Sequence, residues 1–236
     1  MTAGQFDRSY YAANHQDADR PALWFYARLA RRYFLPGRVL DFGCGTGFFM
    51  KRLSCDFQVD GFDVSDHAAE ETRVRVPQAR VFSLLDEIPR ASYDGITALH
   101  VLEHISDSAL ELVCRTWRRA LLPGGRIICV MPVREGRGHL LKQQEWAGFK
   151  DATHINLKTS QEWWALLEGY GFAVLQVGTD GLWDFPYRLK RCRLLDMLLY
   201  APATALQFLS GRLLLPDGSG ESLILVLESR RYIQGD

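Results

Sequence analysis

The stretch Val39-Leu40-Asp41-Phe42-Gly43-Cys44-Gly45-Thr46-Gly47 carries the strongest chemical signal in this chain. Apolar residues running into clustered glycines read as a strand that breaks into a tight turn. Glycine lets the backbone bend sharply and lets a ligand approach atoms that a Cβ would shield. The next acid at a strand end is Asp63, twenty positions after Gly43. Across a doubly wound sheet such a carboxylate faces the glycine turn and can accept hydrogen bonds from both hydroxyls of a ribose. The spacing here is G-x-G-x-G, whereas a pyrophosphate is seated by G-x-G-x-x-G at a helix N-terminus. Asp41, just inside the strand end, would repel a pyrophosphate and suits a ligand with a positive amino or sulfonium group.

Three of the six histidines fall where a reacting group is needed: His100 and His104 after a fourth strand, and His154 after a fifth. Loops that leave the C-terminal ends of parallel strands open on one edge of the sheet, so ligands gather there. A histidine can accept a proton near neutral pH without large tuning. His100 stands nearest its strand end and is expected closest to the reacting atom. His104, beside Glu103, reads equally as a hydrogen-bonded structural residue, and a structural role remains open for His100 and His154.

The elements that position these groups follow from periodicity. Short β-branched or apolar runs alternate with helix-period segments, the pattern of a parallel sheet with helices on both faces. Strands are expected at 38–42, 58–62, 80–82, 93–99, 126–131, 172–177 and 223–228. A helix is expected from Asp19-Arg20-Pro21, with the acid as cap and proline in the first turn, burying Leu23, Tyr26, Ala27, Ala30 and Phe34. Another begins near Phe48. Ser106 or Asp107 caps a helix in which Leu110, Val113, Cys114, Trp117 and Leu121 keep the i, i+3, i+4, i+7 rule. Pro123-Gly124-Gly125 turns that helix into the fifth strand, and Thr159 or Ser160 caps a helix over 161–170 that Gly171 ends.

Composition narrows the class. The 236 residues hold 28 Lys+Arg and 28 Asp+Glu, so no basic surplus marks a protein that lives on nucleic-acid backbone. The five cysteines are scattered without a C-x-x-C pair and read as reduced thiols, with neither a zinc site nor a disulfide framework. The polar start and the lack of a long apolar run point to a soluble, cytoplasmic protein.

Taken together, these motifs resemble the class I S-adenosylmethionine-dependent methyltransferases, in the branch similar to ubiquinone-biosynthesis enzymes. Asp41–Gly47 matches the cofactor loop, Tyr93-Asp94-Gly95-Ile96 with His100–His104 the fourth strand and its turn, and Leu121–Gly125 the turn into the fifth. Gly171-Phe172 matches the entry to the sixth. The resemblance implies a Rossmann-like seven-stranded sheet, mostly parallel with an antiparallel last strand, and S-adenosylmethionine as cofactor. It implies that Asp41, Gly43, Cys44, Gly45 and Gly47 hold the methionine part, Asp63 the ribose, and Val64 the adenine. Leu84 occupies the position where the family commonly places an acid for the adenine amino group, so that contact falls to Asp86 or to backbone. Leu85, Leu99 and Tyr11 complete the expected cofactor set. Methyl transfer from a sulfonium needs no metal, and none is expected. His100, His154 and His104 are the candidate catalytic residues; an amine or carboxylate acceptor would leave them positioning roles only.

The chain reads as one domain: an N-terminal cap over 1–36 with Tyr10, Tyr11 and Trp24 placed to close the pocket, a core over 37–178, an insertion over 179–221, and a last strand and tail over 222–236. The insertion spends roughly forty residues where a hairpin would serve. It opens with Trp183, Phe185 and Tyr187, continues through Arg188, Lys190, Arg191 and Arg193, and then becomes leucine-rich. A helical lid over a small-molecule or lipid-linked acceptor, a homodimer face, and a membrane-surface helix through 187–215 are its three readings. Outside this family, the competing functions are a nicotinamide-dependent oxidoreductase, which the glycine spacing disfavours, and a binding or regulatory subunit without turnover.

Overall fold

The computed structural model of the protein describes residues 6–14, 17–183, 185–188 and 192–230. Lys190, Arg191, the side chain of Arg193 and the tail at 231–236 lie outside the described residues. In chain order the elements are α1 (Arg8–Ala13), α2 (Pro21–Tyr33), β1 (Arg38–Phe42), α3 (Phe48–Leu53), β2 (Gln58–Phe62), α4 (Asp66–Arg75), β3 (Val81–Phe82) and β4 (Tyr93–Leu99). There follow α5 (Asp107–Ala120), β5 (Leu121–Pro132), α6 (Arg137–Lys142), α7 (Ala147–Lys150), α8 (Ser160–Gly169), β6 (Phe172–Thr179), α9 (Arg193–Ser210) and β7 (Ser222–Ser229).

The strands form one seven-stranded sheet in the order β3-β2-β1-β4-β5-β7-β6. β1, β2, β3, β4 and β5 run parallel, whereas β7 pairs antiparallel with both β5 and β6. The chain thus builds outward from β1 in one direction, then returns to add β4 and β5 on the other side. This reversal between β1 and β4 opens the crevice in which open α/β sheets bind ligands.

Period-two alternation divides the core between the two faces. Along β5, Ile127, Cys129 and Met131 pack with α5 and α8 through Trp117 and Trp163, while Ile128 and Val130 pack with α2 and α3 through Phe25, Leu29 and Met50. Both faces are covered, so β1, β5 and β7 read as near-continuous apolar runs.

Several boundaries differ from expectation for physical reasons. The cap of α2 is Arg20 rather than Asp19, whose carboxylate instead accepts from Arg52 Nε at 2.8 Å. Leu121 leaves α5 and starts β5 opposite Tyr93; the pairing then skips to Arg126 opposite Gly95, so Pro123-Gly124-Gly125 is a bulge within the strand. Ser106 occupies the cap position of α5 without a side-chain cap bond, and α8 is capped by Thr159 in a reciprocal box with Glu162. The third strand shortens to Val81–Phe82.

Candidate active site

The turn after β1 is held by backbone bonds to β2: the amides of Gly43 and Cys44 both donate to the Phe62 carbonyl, at 2.7 and 3.0 Å. Gly43 sits at φ +76°, and a Cβ there would lie 2.3 Å from Val101 Cγ2, so glycine is required both by conformation and by packing against the β4 turn. At Gly45 a Cβ would meet only Tyr11, at 3.5 Å, and project beside an open cavity. The carboxylate of Asp63 closes the turn, accepting from Gly45 N at 2.8 Å and Ser65 N at 2.9 Å.

That cavity, about 550 Å³, is lined by Gly43, Gly45, Asp63, Val64, Leu84, Leu85, Asp86, Leu99, His100, His104 and Tyr11. Its size falls within the range of small-molecule sites. Phe6 and α1 roof it: Asp7 caps α1 by accepting from Tyr10 N, and Ser65 Oγ donates to the Phe6 carbonyl. Asp41, Cys44 and Gly47 do not line this cavity. Asp41 is buried behind the turn and accepts from Thr97 Oγ1 at 2.7 Å. Cys44 packs toward Thr72, and Gly47 is the left-handed cap of α3. Trp24 is half exposed beneath the Arg52 guanidinium and closes neither cavity described here.

Burial pushes Asp41 up to about 7, with Asp63 adding to the rise and Thr97 opposing it. Burial likewise raises Asp63, although backbone donors from Ser65, Gly45 and Val64 oppose the shift. Both carboxylates therefore gain from a cation or hydroxyl donors brought into the crevice.

A second cavity, about 450 Å³, is lined by Tyr26, Trp146, Asp151, His154, Asp180 and Trp183 among others. It shares Leu99, His100 and His104 with the first cavity, so the two meet at the end of β4. From the connection between β6 and β7, the residues that reach it include Asp180, Trp183 and Glu221; among the described residues none of α9 lines either cavity.

At the junction, His100 adopts φ +56°, a left-handed conformation unusual for a side-chain-bearing residue, and its amide donates to Val130 O at 2.7 Å. Its Nδ1 stands 3.5 Å from Oε1 of Glu103, a fully buried carboxylate. His154 Nε2 lies 3.9 Å from the same oxygen and 3.7 Å from Asp151 Oδ2. His154 Nδ1 faces the Gly148 carbonyl at 2.7 Å, and His104 Nδ1 faces the Thr153 carbonyl at 3.1 Å. Those carbonyl acceptors place the proton on Nδ1 of each ring and leave Nε2 as the basic atom. Burial acts to raise Glu103, but His100, His104 and His154 outweigh it and hold the carboxyl below the usual range. Burial lowers His104, against the pull of Glu103. Donor atoms of Glu103, His104 and His154 lie within 4.8 Å of one another, a set whose chemistry can also take a divalent cation.

Glu103, Asp151 and Asp180 were not among the expected site residues, whereas Tyr10 was expected to close the pocket and lines the larger cavity. Tyr10 donates to Asp151 at 3.1 Å and joins the N-terminal roof to the β5–α8 connection. Asp180 accepts from Tyr26 at 3.0 Å and is raised by burial. Glu103 had a readable signal, an acid inside His100-Val101-Leu102-Glu103-His104; nothing local marks Asp180.

The methyltransferase-domain family model matches residues 14–177, which spans β1 to β6 and every turn of the crevice. The chain belongs to this methyltransferase family. Its fold agrees with that of the class I enzymes, as the resemblance implied. Among curated relatives, a ubiquinone biosynthesis O-methyltransferase from Idiomarina loihiensis is 30% identical over 100 residues, covering 38% of this chain and 40% of that protein. A malonyl-(acyl-carrier protein) O-methyltransferase from Legionella pneumophila is 30% identical over 141 residues, 56% of this chain and 48% of that protein. The matches therefore span less than half of either relative's length. Among solved structures, the Burkholderia thailandensis 1,6-didemethyltoxoflavin-N1-methyltransferase, with bound 1,6-didemethyltoxoflavin and S-adenosylhomocysteine, superposes with a TM-score of 0.63 at 16% identity, covering 97% of this chain and 87% of that one. That likeness speaks to the fold. Membership in this methyltransferase family indicates use of S-adenosylmethionine, and among the described residues no helix is long and apolar enough to cross a membrane.

Proposed function

We propose that this methyltransferase binds S-adenosylmethionine in the larger cavity and transfers its methyl group to an oxygen or nitrogen of a small-molecule or lipid-linked acceptor held in the smaller one. The observation that carries the reading is the junction itself: two cavities of small-molecule size meet at Leu99, His100 and His104. The residues present fit the cofactor, since Gly45 leaves open space beside a buried acid, Asp63, whose carboxylate accepts from the backbone amides of Gly45 and Ser65. In this reading Gly43 and Gly45 pass the methionine part, Asp63 holds the ribose, Val64 and Leu85 flank the adenine, and Asp86 takes its amino group. Tyr11 and Leu99 close the sides, while Asp41, Cys44 and Gly47 shape the turn from behind.

When bound, S-adenosylmethionine supplies an electrophilic methyl on a sulfonium. The chain must align a nucleophile behind that methyl and exclude water, which the Phe6–Tyr11 roof and Trp146 and Trp183 serve. For a hydroxyl acceptor, His100 removes the proton, with Glu103 orienting its ring and stabilising the imidazolium that forms. His154, held by Gly148 and Asp151, is the second candidate base; His104, buried with its Nδ1 against Thr153, positions rather than reacts. No metal enters this reading.

The test is a screen of small-molecule and lipid-extract acceptors with donor labelled in the methyl group. Labelled product from wild-type protein, reduced about a hundredfold or more in a His100→Ala, His154→Ala double variant, supports the assignment. Transfer unchanged in that variant on a hydroxyl acceptor would remove the catalytic role of both histidines.

A further inference from the structure

The helix α9 is inside out. Its buried face carries Gln207, whose side chain donates to Thr179 O at 2.7 Å and accepts from Leu214 N and Leu215 N at 2.7 and 2.9 Å. Beside it Thr204 accepts from Leu182 N at 3.3 Å. The outer face carries Leu194, Leu195, Leu198, Leu199, Leu206 and Leu209, each between 53% and 69% exposed. At 3.6 residues per turn these six fall within an arc of about 140°. A contiguous apolar stripe of this kind on the outside of a folded chain marks a surface that something covers. Among the described residues none of α9 lines the cofactor or acceptor cavity, so the stripe does not face a bound substrate there.

Charge says what covers it. At the C-terminal end of α9 an open cleft is lined by Arg28, Arg31, Arg32 and Arg126, with exposed Arg212 next in the chain. Arg28 is spent on the Phe208 and Leu209 carbonyls, Arg31 faces Asp56 at 3.5 Å and Arg126 faces Glu228 at 3.9 Å. Along the middle of α9 a second cleft holds Arg137, over the Tyr200 ring, and Arg188 beside Leu199. The chain as a whole carries no net charge, so arginines along the middle and at the C-terminal end of one apolar stripe are a local concentration. A second copy laid antiparallel across the middle of this helix would set the Arg137 and Arg188 clefts of the two copies against each other and meet like-charge repulsion. An anionic bilayer instead receives leucines in its acyl boundary and arginines among its phosphates.

We infer that α9 is a membrane-surface helix that docks this enzyme on anionic lipid. This rests on α9 and its flanks and stands apart from the assignment of the acceptor. The test is co-sedimentation of the full chain with vesicles of phosphatidylcholine alone and of phosphatidylcholine mixed with phosphatidylglycerol in equal parts. The expected result is binding to the mixed vesicles, weakened by salt and by omission of the anionic lipid. A Leu195→Glu, Leu206→Glu variant should bind them at least about tenfold less while keeping the wild-type melting temperature and affinity for S-adenosylhomocysteine. An Arg32→Glu, Arg212→Glu variant, altered only at exposed positions, gives the electrostatic half of the test should the leucine variant fold poorly. Wild-type protein that stays in the supernatant with mixed vesicles overturns the inference. So does a wild-type dimer in light scattering that the leucine variant abolishes without any lipid binding by either.

Discussion

The carboxylate of Glu103, wholly shielded from solvent, stands 3.5 Å from Nδ1 of His100 at the point where the two cavities join. A buried anion next to an imidazole at a reaction centre favours the protonated ring that forms once a proton has been taken. Glu103→Gln keeps the volume and removes the charge. We expect turnover on a hydroxyl acceptor to fall roughly tenfold to a hundredfold with little change in KM, and the alkaline plateau of the pH–rate profile to be reached at a different pH. A change in KM alone would show that Glu103 only shapes the pocket.

Glu103 also predicts behaviour in acid. Its carboxyl is lowered in the folded chain, so its contribution to stability is complete above the ordinary value of 4.5 and is lost as pH falls through the lower folded value. As pH falls from 4.5 through the lower folded value, melting temperatures should fall less steeply for Glu103→Gln than for wild type. Parallel curves would contradict the shift.

Asp41 predicts the opposite sign. Burial raises it to about 7, so its contribution is present below the unfolded value of 3.8 and fades as pH climbs toward 7. The ionised form is a cost that a cationic ligand would offset. Without ligand, Asp41→Asn should gain in melting temperature over wild type as pH rises from 5 to 8. Wild-type affinity for S-adenosylhomocysteine should strengthen over the same interval and that of the variant stay flat, as read by calorimetry.

Two glycines separate folding from binding. Gly43→Ala forces a Cβ to within 2.3 Å of Val101 at φ +76°, and should cost about 1–3 kcal/mol of stability, partly recovered by Val101→Ala. Gly45→Ala meets only Tyr11 at 3.5 Å and should fold with a loss of about 1 kcal/mol while binding S-adenosylhomocysteine at least about tenfold more weakly. Denaturant melts beside calorimetry resolve the pair.

Chelation tests the donor set at the junction. Glu103, His104 and His154 can gather a divalent ion, whereas the proposed chemistry uses them to orient the acceptor and His100 and, at His154, to take a proton. Dialysis against EDTA should leave methyl transfer unchanged. Lost activity that a divalent salt restores would assign these residues to a metal.

Much of the frame was legible because its signals are local. β1, β2 and β4 begin and end where the apolar runs do, and the glycine turn, Asp63 and the capping box Thr159–Glu162 each depend on a few adjacent residues. α1 was missed because a six-residue helix is held by Asp7 and by burial of Tyr11 against the crevice rather than by its own periodicity. Tyr10–Asp151 and Tyr26–Asp180 join residues more than a hundred positions apart, which spacing along the chain cannot bring together. The leucine-rich insertion leaves a lid, a dimer face and a membrane-surface helix open in the sequence because composition does not tell which face of a helix turns inward; Gln207 and Thr204 decide that by bonding to the core.

The most direct test of the account is a crystal structure of the protein grown with S-adenosylhomocysteine. The account predicts the nucleoside between Gly45 and Leu85, its ribose hydroxyls on the Asp63 carboxylate and its sulfur directed at His100. A crevice left empty at saturating ligand, or the ligand bound elsewhere with Asp63 still closed on the Gly45 amide, would contradict it.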